Sequence, residues 1–554
     1  MLLHRRDLFA LTLLAAIGIA QGFYAVKLNT DFYKQHTPFF DSCSYTNQLA
    51  VVAGKTRILG FGAGIKESLS GNVALPFLEE NLVTKMIPPS RAMGVWLQSI
   101  WMIALLLSVY WYFARYRGMD RWLAVLLALP FISFGRVYDW NGGLPDFRMD
   151  LSLYIFASLT AVWYLGTYET ESRMPWVLAG LSAMLACLAR ATSPIYLLVM
   201  IGPLFAVRLI ASTGKRIALL KNCLWMVLPV CLSGAVFLLH NFSYLYFYYV
   251  TWSPDANAHA PWKESSKHFE MAESHIGPAL LWCGLAAAAL NIVLKKGLPR
   301  LDWRPIWLAV SAPLFLAYRG AGLNPFVSMP AVFGFVLFAC VPFAGVQPAF
   351  RFLWSRAVVG VFLGGAAIAA VAAAGQPQPY TGLNYTSMPG MRAVLDRASR
   401  DASSKRLARV ELIAPELGDF YSCMVSNVLT YEYGAMPGEG KALYVPGGLT
   451  YHFPHELTFS ASDDLFWKIN VKGDTEPERF NNIVSMMTAW SPDYLLLPDE
   501  ATLKWLEHDR SFNYINRQTR GLMSRLMALG KWASLGDPVQ VDPNEKIEVF
   551  APRQ

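Results

Sequence analysis

Tyr138-Asp-Trp-Asn-Gly-Gly-Leu-Pro-Asp-Phe-Arg-Met-Asp150 sets four ionisable side chains, Asp139, Asp146, Arg148 and Asp150, between apolar runs at 121–137 and 151–168. Long apolar runs on both sides of a short charged connection read as membrane helices meeting at a polar turn. Ionisable groups at a bilayer boundary cost free energy unless they reach water or a partner, so clustered acids there point to function. Asp139 and the run Asn141-Gly-Gly143 fit a plain turn, because Asn and Gly supply turn geometry. Asp146, Arg148 and Asp150 remain as candidates.

Composition agrees. Of 554 residues, 54% are hydrophobic and only 16% charged, and the mean hydropathy is +0.32. Such a chain is a polytopic membrane protein rather than a soluble one. The net charge of +8 does not indicate nucleic acid, because the Lys and Arg residues fall in short clusters between apolar runs, as orientation determinants do. The seven cysteines show no metal-ligand spacing. Cys187, Cys223, Cys231, Cys283 and Cys340 lie in or beside apolar segments, where cysteine acts as a small hydrophobe. Cys43 and Cys423 lie in polar regions, where a disulfide and two free thiols fit equally well.

Working outward, Arg5 and Arg6 precede an apolar run at 8–26 that reads as an uncleaved first helix rather than a signal peptide. Further runs at 94–114, 121–137, 151–168, 175–189, 194–210, 218–240, 277–294, 305–318, 325–345 and 357–374 bring the total to about eleven spans. Alternate connections carry Arg115, Arg117 and Arg121; Arg173; Arg208, Lys215, Arg216 and Lys221; Lys295, Lys296, Arg300 and Arg304; and Arg351 and Arg356. These read as cytoplasmic. The N-terminus is then inside, and the connections 28–93, 138–150, 190–194, 241–276 and 319–324 are outside.

An odd number of spans exports the C-terminal region. There the apolar bursts 409–415, 442–446, 494–498 and 547–552 alternate with stretches such as 479–490 that suit helices. The fold class expected is therefore mostly α: a membrane helix bundle over 1–375, followed by an extracytoplasmic α/β domain over 376–554. Gln376-Pro-Gln-Pro-Tyr-Thr-Gly382 is the linker.

Two nucleotide-like signals fail on context. Gly60-Phe-Gly-Ala-Gly64 has the wrong spacing for a dinucleotide loop, and Ser212-Thr-Gly-Lys215 lacks the leading glycine of a P-loop. The first exported connection matters more. Asp41 follows the first helix closely, where it either caps a helix starting at Ser42 or serves chemistry. Lys55, Arg57, Lys66 and Lys85 follow in the same loop, as phosphate ligands or as solvated charge. In the third exported loop Tyr244–Tyr249 reads as an interfacial belt. Trp252, Asp255, His259 and Trp262 continue past it, in a pattern that suits a sugar site or a lid, and His259 has no regularly spaced metal partner.

A first exported loop with an early acid, a second with acids at the start of the fourth span and an exported α/β tail together resemble a GT-C superfamily membrane glycosyltransferase. By layout the chain is most similar to the protein O-mannosyltransferases and the lipid A aminoarabinose transferases. The resemblance implies that Asp41 is the catalytic base or acceptor-positioning group, and that the second-loop acid is Asp146 or Asp150. Asn324-Pro-Phe-Val-Ser-Met-Pro330 resembles the Pro-Arg-Tyr-Leu-Leu-Pro type of segment that opens a late span in these enzymes. The arginine of that segment is missing here, which leaves Arg319 or Arg190 to hold the donor phosphate. The first loop also departs from the paired acids that many members show.

The activity implied is sugar transfer from a polyprenyl-phosphate donor to a lipid, glycan or protein acceptor, at the outer face of a bacterial inner membrane. A carboxylate takes the acceptor proton, with Asp41 as base and Asp146 or Asp150 as acceptor or metal support. Arg148, Lys55 and Arg57 are the candidates for stabilising the leaving phosphate. A divalent metal is compatible with these acids but no other cofactor is implied. The competing class is a transporter or flippase of a lipid-linked or glycan substrate, which calls for polar, broken helices at mid-membrane and for repeats. Neither is evident, since the charges sit at span ends.

Overall fold

The computed structural model describes residues 5–36, 40–70, 73–138, 142–246, 262, 266–267, 269, 285, 289, 302–319, 329–344, 387–402, 408–412, 427–428, 431, 436–437, 442–444, 449–452, 494–502, 527–542 and 545–553. They fall into two compact units. The first comprises Met1–Lys27, Ser68–Glu79 and Met93–Pro379, and the second Leu28–Glu67, Glu80–Ala92 and Tyr380–Gln554.

The first unit is helical. It is built from α1 (Arg5–Tyr33), which runs on into the second unit, and from α5 (Arg91–Trp111), α6 (Arg121–Ala128), α7 (Met149–Gly166), α8 (Met174–Ala189), α9 (Ser193–Ala211), α10 (Arg216–Tyr246), α11 (Trp303–Arg319) and α12 (Met329–Cys340). Among the described residues, five helical segments are long and apolar enough to cross a membrane: Arg5–Tyr33, Arg91–Tyr116, Met149–Gly166, Ser193–Ala211 and Arg216–Phe237.

The run 121–137 departs from the single span expected of it. Asp120 caps α6 by accepting from the Trp122 and Leu123 amides, but the helix tightens to a 3-10 turn over Leu129–Phe131. Pro130 has no N–H to continue the ladder. The α7 helix is the central element: nearly every residue along it is buried, so it is apolar all round rather than on one stripe. Small residues let its neighbours pack closely. A methyl group on Gly334 of α12 would meet the α11 backbone at Leu308 and Ala309, the close approach that small residues permit in membrane bundles.

At the end of α7 the basic connections meet. Arg117 pairs with Glu169 at 3.1 Å and lies 3.7 Å from Asp302, while Arg304 reaches Glu169 at 3.7 Å. The Tyr168 ring has the Arg208 guanidinium 4.2 Å from its centroid and that of Arg304 at 4.6 Å. Asp7, near the start of α1, is buried and accepts from Arg115, Arg121 and Tyr110. Among the described residues, the connections that carry Arg117, Glu169, Arg208 and Arg304 thus meet at one end of the helices. The acidic stretch opens α7 at the other end, about 27 Å away for 18 residues of helix.

In the second unit the first-loop segments are helical. The α2 helix (Phe40–Ile58) is followed by α3 (Phe61–Ser68) and α4 (Leu75–Val83), the latter shared with the first unit. Gly60, with φ of 96°, makes the turn into α3, so the Gly60–Gly64 run serves local geometry. The tail contributes α13 (Met388–Ala402) and the strands β1 (Ala408–Leu412), β2 (Met436–Pro437), β3 (Ala442–Tyr444), β4 (Leu449–His452), β5 (Tyr494–Pro498), β6 (Trp532–Ser534), β7 (Val539–Asp542) and β8 (Glu545–Pro552).

They form one sheet in the order β2-β3-β4-β1-β5-β8-β6, with β7 also pairing β8. Central β1 runs parallel to β4 and β5, with Val410 opposite Tyr451 and Tyr494; the remaining pairs are antiparallel. The helical stretch expected at 479–490, the run 277–294 apart from 285 and 289, the run 357–374 and the linker at 376–382 lie outside the described residues.

Candidate functional site

The second exported connection folds into a charge cluster within the first unit. Gly143 leads into a 3-10 turn over Leu144–Asp146, in which the Gly142 amide donates to Asp146 Oδ2 at 2.7 Å. Phe147 then takes a left-handed conformation, with φ of 44° and ψ of 51°, and Arg148 returns to extended backbone ahead of α7. The reversal gathers the three charged residues. Arg148 Nε lies 3.9 Å from Asp146 Oδ2 and 3.6 Å from Asp150 Oδ2.

Asp150 occupies the first turn of α7, where the helix dipole favours a carboxylate. Its other oxygen forms an ion pair with Arg190, the residue that closes α8. Both Arg148 and Asp150 are buried, and Arg190 and Asp146 are partly exposed. From α5, Gln98 Nε2 donates to the Arg148 carbonyl at 2.8 Å. A buried acid is therefore held between two guanidiniums that come from different connections, one of them open toward the surroundings. A guanidinium carries five N–H donors in a planar fork that matches carboxylate and phosphate geometry alike.

Asp41 falls in the first turn of α2, in the second unit. In that unit Lys55 pairs with Glu67 at 2.5 Å. Arg57 donates to the Thr84 carbonyl at 2.7 and 3.1 Å and to that of Ile87 at 3.4 Å. Arg57 thus satisfies carbonyls of the turn that follows α4, and Lys66 and Lys85 are exposed. Arg319 is the exposed last residue of α11. Trp252, Asp255, His259, Asp139 and the segment 324–328 lie outside the described residues. Trp262 donates its amide to the Ala317 carbonyl and sets its ring edge-on to Tyr318.

Two acids were not anticipated from the sequence, Glu79 and Glu80 on the short helix α4. In the first unit Glu79 accepts from Trp101 Nε1 at 2.5 Å, yet burial pushes its carboxyl up to about 7. Glu80, in the second unit, is fully buried beside Thr84 and Arg57, and burial raises it to about 7 as well. An apolar stretch, Val73-Ala-Leu-Pro-Phe-Leu78, leads straight into this pair, and that was the available signal for buried acids.

The second unit also joins the first loop to the tail. Asn427 Nδ2 donates to Asn47 Oδ1 at 3.1 Å, and the Tyr431 hydroxyl donates to the Thr46 carbonyl at 2.7 Å. The Arg91 guanidinium lies 5.1 Å from the centroid of the Tyr33 ring and 5.2 Å from that of Tyr431, and Arg91 Nε donates to Asn427 Oδ1 at 2.8 Å. Cys43 of α2 is disulfide-bonded, whereas Cys187, Cys223, Cys231 and Cys340 are free. No group of three or more metal-ligating side chains occurs among the described residues.

No protein-family model matches the chain, and no curated protein sequence matches it significantly. Solved structures do. Over 97% of both chains it shares the fold of ArnT from Cupriavidus metallidurans, solved bound to undecaprenyl phosphate, with a TM-score of 0.56 at 10% identity. It also aligns with the mycobacterial arabinofuranosyltransferase AftD, over 100% of this chain and 40% of that one, at TM-score 0.49 and 15% identity. An oligosaccharyltransferase from Archaeoglobus fulgidus aligns over 88% of this chain and 69% of its own, at TM-score 0.45 and 12% identity. The fold is thus the GT-C fold expected from the layout: a multi-pass helical membrane bundle with a C-terminal sheet domain.

Proposed function

We propose that this chain, sharing the fold of ArnT, is a membrane glycosyltransferase that moves a sugar from a polyprenyl-phosphate donor to an acceptor at the outer face of the membrane. The observation that carries the proposal is the buried Asp150 held between Arg148 and Arg190 at the entry to α7. A lone buried carboxylate is costly, and replacing such ion pairs by apolar residues is often neutral or stabilising. Their presence at a span boundary is therefore better explained by an anionic substrate than by stability.

Arg148 and Arg190 bind the donor phosphate and stabilise the charge that develops as it leaves. Asp150 orients both guanidiniums, and Asp146, partly exposed and held by the Gly142 amide, faces the acceptor or a divalent metal. Asp41 is the general base: it removes the acceptor proton as the hydroxyl attacks the anomeric carbon, and single displacement inverts that centre. Lys55 and Arg57 are engaged with Glu67 and with backbone carbonyls, so they support the first loop, and Arg319 is left as a surface contact for the lipid. The disulfide at Cys43 favours an oxidising, extracytoplasmic location for α2, since such bonds persist there and not in the cytosol. The N-terminus is then cytoplasmic.

The test is transfer from a radiolabelled polyprenyl-phosphate sugar by purified protein, with Arg190→Ala and Asp41→Asn alongside. Donor consumption by wild type, a raised donor KM in Arg190→Ala and a lost turnover in Asp41→Asn are expected. Wild-type protein that carries the donor across a bilayer without consuming it is a flippase instead.

A further inference from the structure

Phe147, between the two acids, is fully buried and left-handed. A non-glycine residue in that region is uncommon and sits there only when its surroundings hold it. Its holder is on α5. A methyl group built on Gly94 would lie 2.2 Å from two atoms of the Phe147 ring and 2.6 Å from a third. Real carbon atoms do not approach that closely, so the ring occupies the space that a side chain at 94 would fill. One turn further along α5, Gln98 Nε2 donates to the Arg148 carbonyl at 2.8 Å. A ring on one side and a hydrogen bond on the other fix residues 147 and 148 against one face of α5.

The geometry points to Gly94 as a positioning residue for the Asp146–Arg148–Asp150 cluster, acting through the ring of Phe147; this rests on the glycosyltransferase reading above. Any side chain at 94 pushes the ring out of its seat. The ring is buried and flanked by Asp146 and Arg148, so its movement rotates the backbone that carries both. Arg148 Nε is 3.6 Å from Asp150 and 3.9 Å from Asp146, spacings that a shift of the backbone undoes. Displacements of that size in a reacting site lower turnover by on the order of 100-fold.

The experiment compares Gly94→Ala with Gly94→Ala/Phe147→Leu in purified protein. Leucine vacates the space that the new methyl needs while leaving the same backbone conformation to be held. Gly202→Ala on α9, where a methyl group comes no closer than 3.4 Å to the Leu198 side chain, is the control for glycine loss in a membrane helix. Expected for Gly94→Ala is a kcat on the order of 100-fold lower, with a much smaller change in acceptor KM, and recovery to within tenfold in the double variant. Turnover within twofold of wild type in Gly94→Ala overturns the inference, and so does a loss that the double variant retains.

Hydrogen exchange over residues 142–150 gives a readout independent of activity. It should quicken in Gly94→Ala and return toward wild type in the double variant, and unchanged exchange in Gly94→Ala again overturns the proposal. Wild-type protein that transfers no sugar removes the reaction proposed above but leaves the exchange comparison standing.

Discussion

Arg190, which caps the C-terminal end of α8, forms an ion pair with Asp150, in the first turn of α7, and the pair joins the two helices. Removing one partner from a buried pair leaves an uncompensated charge, at a cost of about 3–5 kcal/mol. Asp150→Asn should therefore lower the thermal midpoint in detergent and also impair transfer. Asp150→Asn/Arg190→Gln should regain much of the stability and none of the activity. A double variant as unstable as the single one would show that the pairing is not what Asp150 contributes.

For Asp41 the expected effect is on chemistry alone. Asp41→Asn keeps the size and helix position of the side chain but loses the base, so turnover should fall by about 10²- to 10⁴-fold at normal protein level. Full activity in Asp41→Asn ends the assignment.

Burial of Glu79 and Glu80 gives stability a definite pH dependence. Both carboxyls sit at about 7 in the folded protein, against about 4.3 in an unfolded chain. Below the unfolded value both states hold the proton, and the full stability is present. Between the two values the folded state keeps protons that the unfolded chain has released, so stability declines as pH rises and levels off above about 7. Thermal midpoints of wild type should drop from pH 5 to pH 8, and Glu79→Gln/Glu80→Gln should flatten the curve. Identical slopes in the two proteins would refute this account.

The bond between tail and first loop should be measurable residue by residue. Tyr431→Phe removes the hydroxyl that donates to Thr46 and should cost about 1 kcal/mol, as one net hydrogen bond does. Arg91→Ala removes two cation–ring contacts and the bond to Asn427 and should cost more. Protease resistance of the second unit reports both. Equal resistance in wild type and Arg91→Ala would count against this role.

Much of the fold is visible in the residues themselves. The apolar bursts at 409–415, 442–446, 494–498 and 547–552 overlap β1, β3, β5 and β8, because short apolar runs bounded by turn residues favour strands. The strands β4 (Leu-Thr-Tyr-His), β6 (Trp-Ala-Ser) and β7 (Val-Gln-Val-Asp) are three or four residues long and mix polar with apolar side chains, so nothing local distinguishes them from loop. For α2 the helix start beside Asp41 is one of two readings of the sequence, but its extent over Phe-Asp-Ser-Cys-Ser-Tyr-Thr-Asn-Gln and beyond is not legible, because its partners lie far along the chain. In the site, the clustering of Asp146, Arg148 and Asp150 is legible because they are neighbours in sequence. The pairing of Asp150 with Arg190 is not, since only the packing of α7 against α8 creates it. Gly94 carries no charge or motif to announce the ring that fills its place.

The hydrogen bond between Asn47 and Asn427 spans 380 positions, and this has a consequence for biogenesis. A ribosome adding about 5–20 residues per second leaves α2 waiting on the order of 20–80 s for its partner. Throughout that interval Asn47 and the Thr46 carbonyl lack their partners from the tail. Shielding this early segment from aggregation during synthesis is then a task for chaperones, and a ribosome that stalls before Asn427 releases a chain whose α2 lacks its partners from the tail.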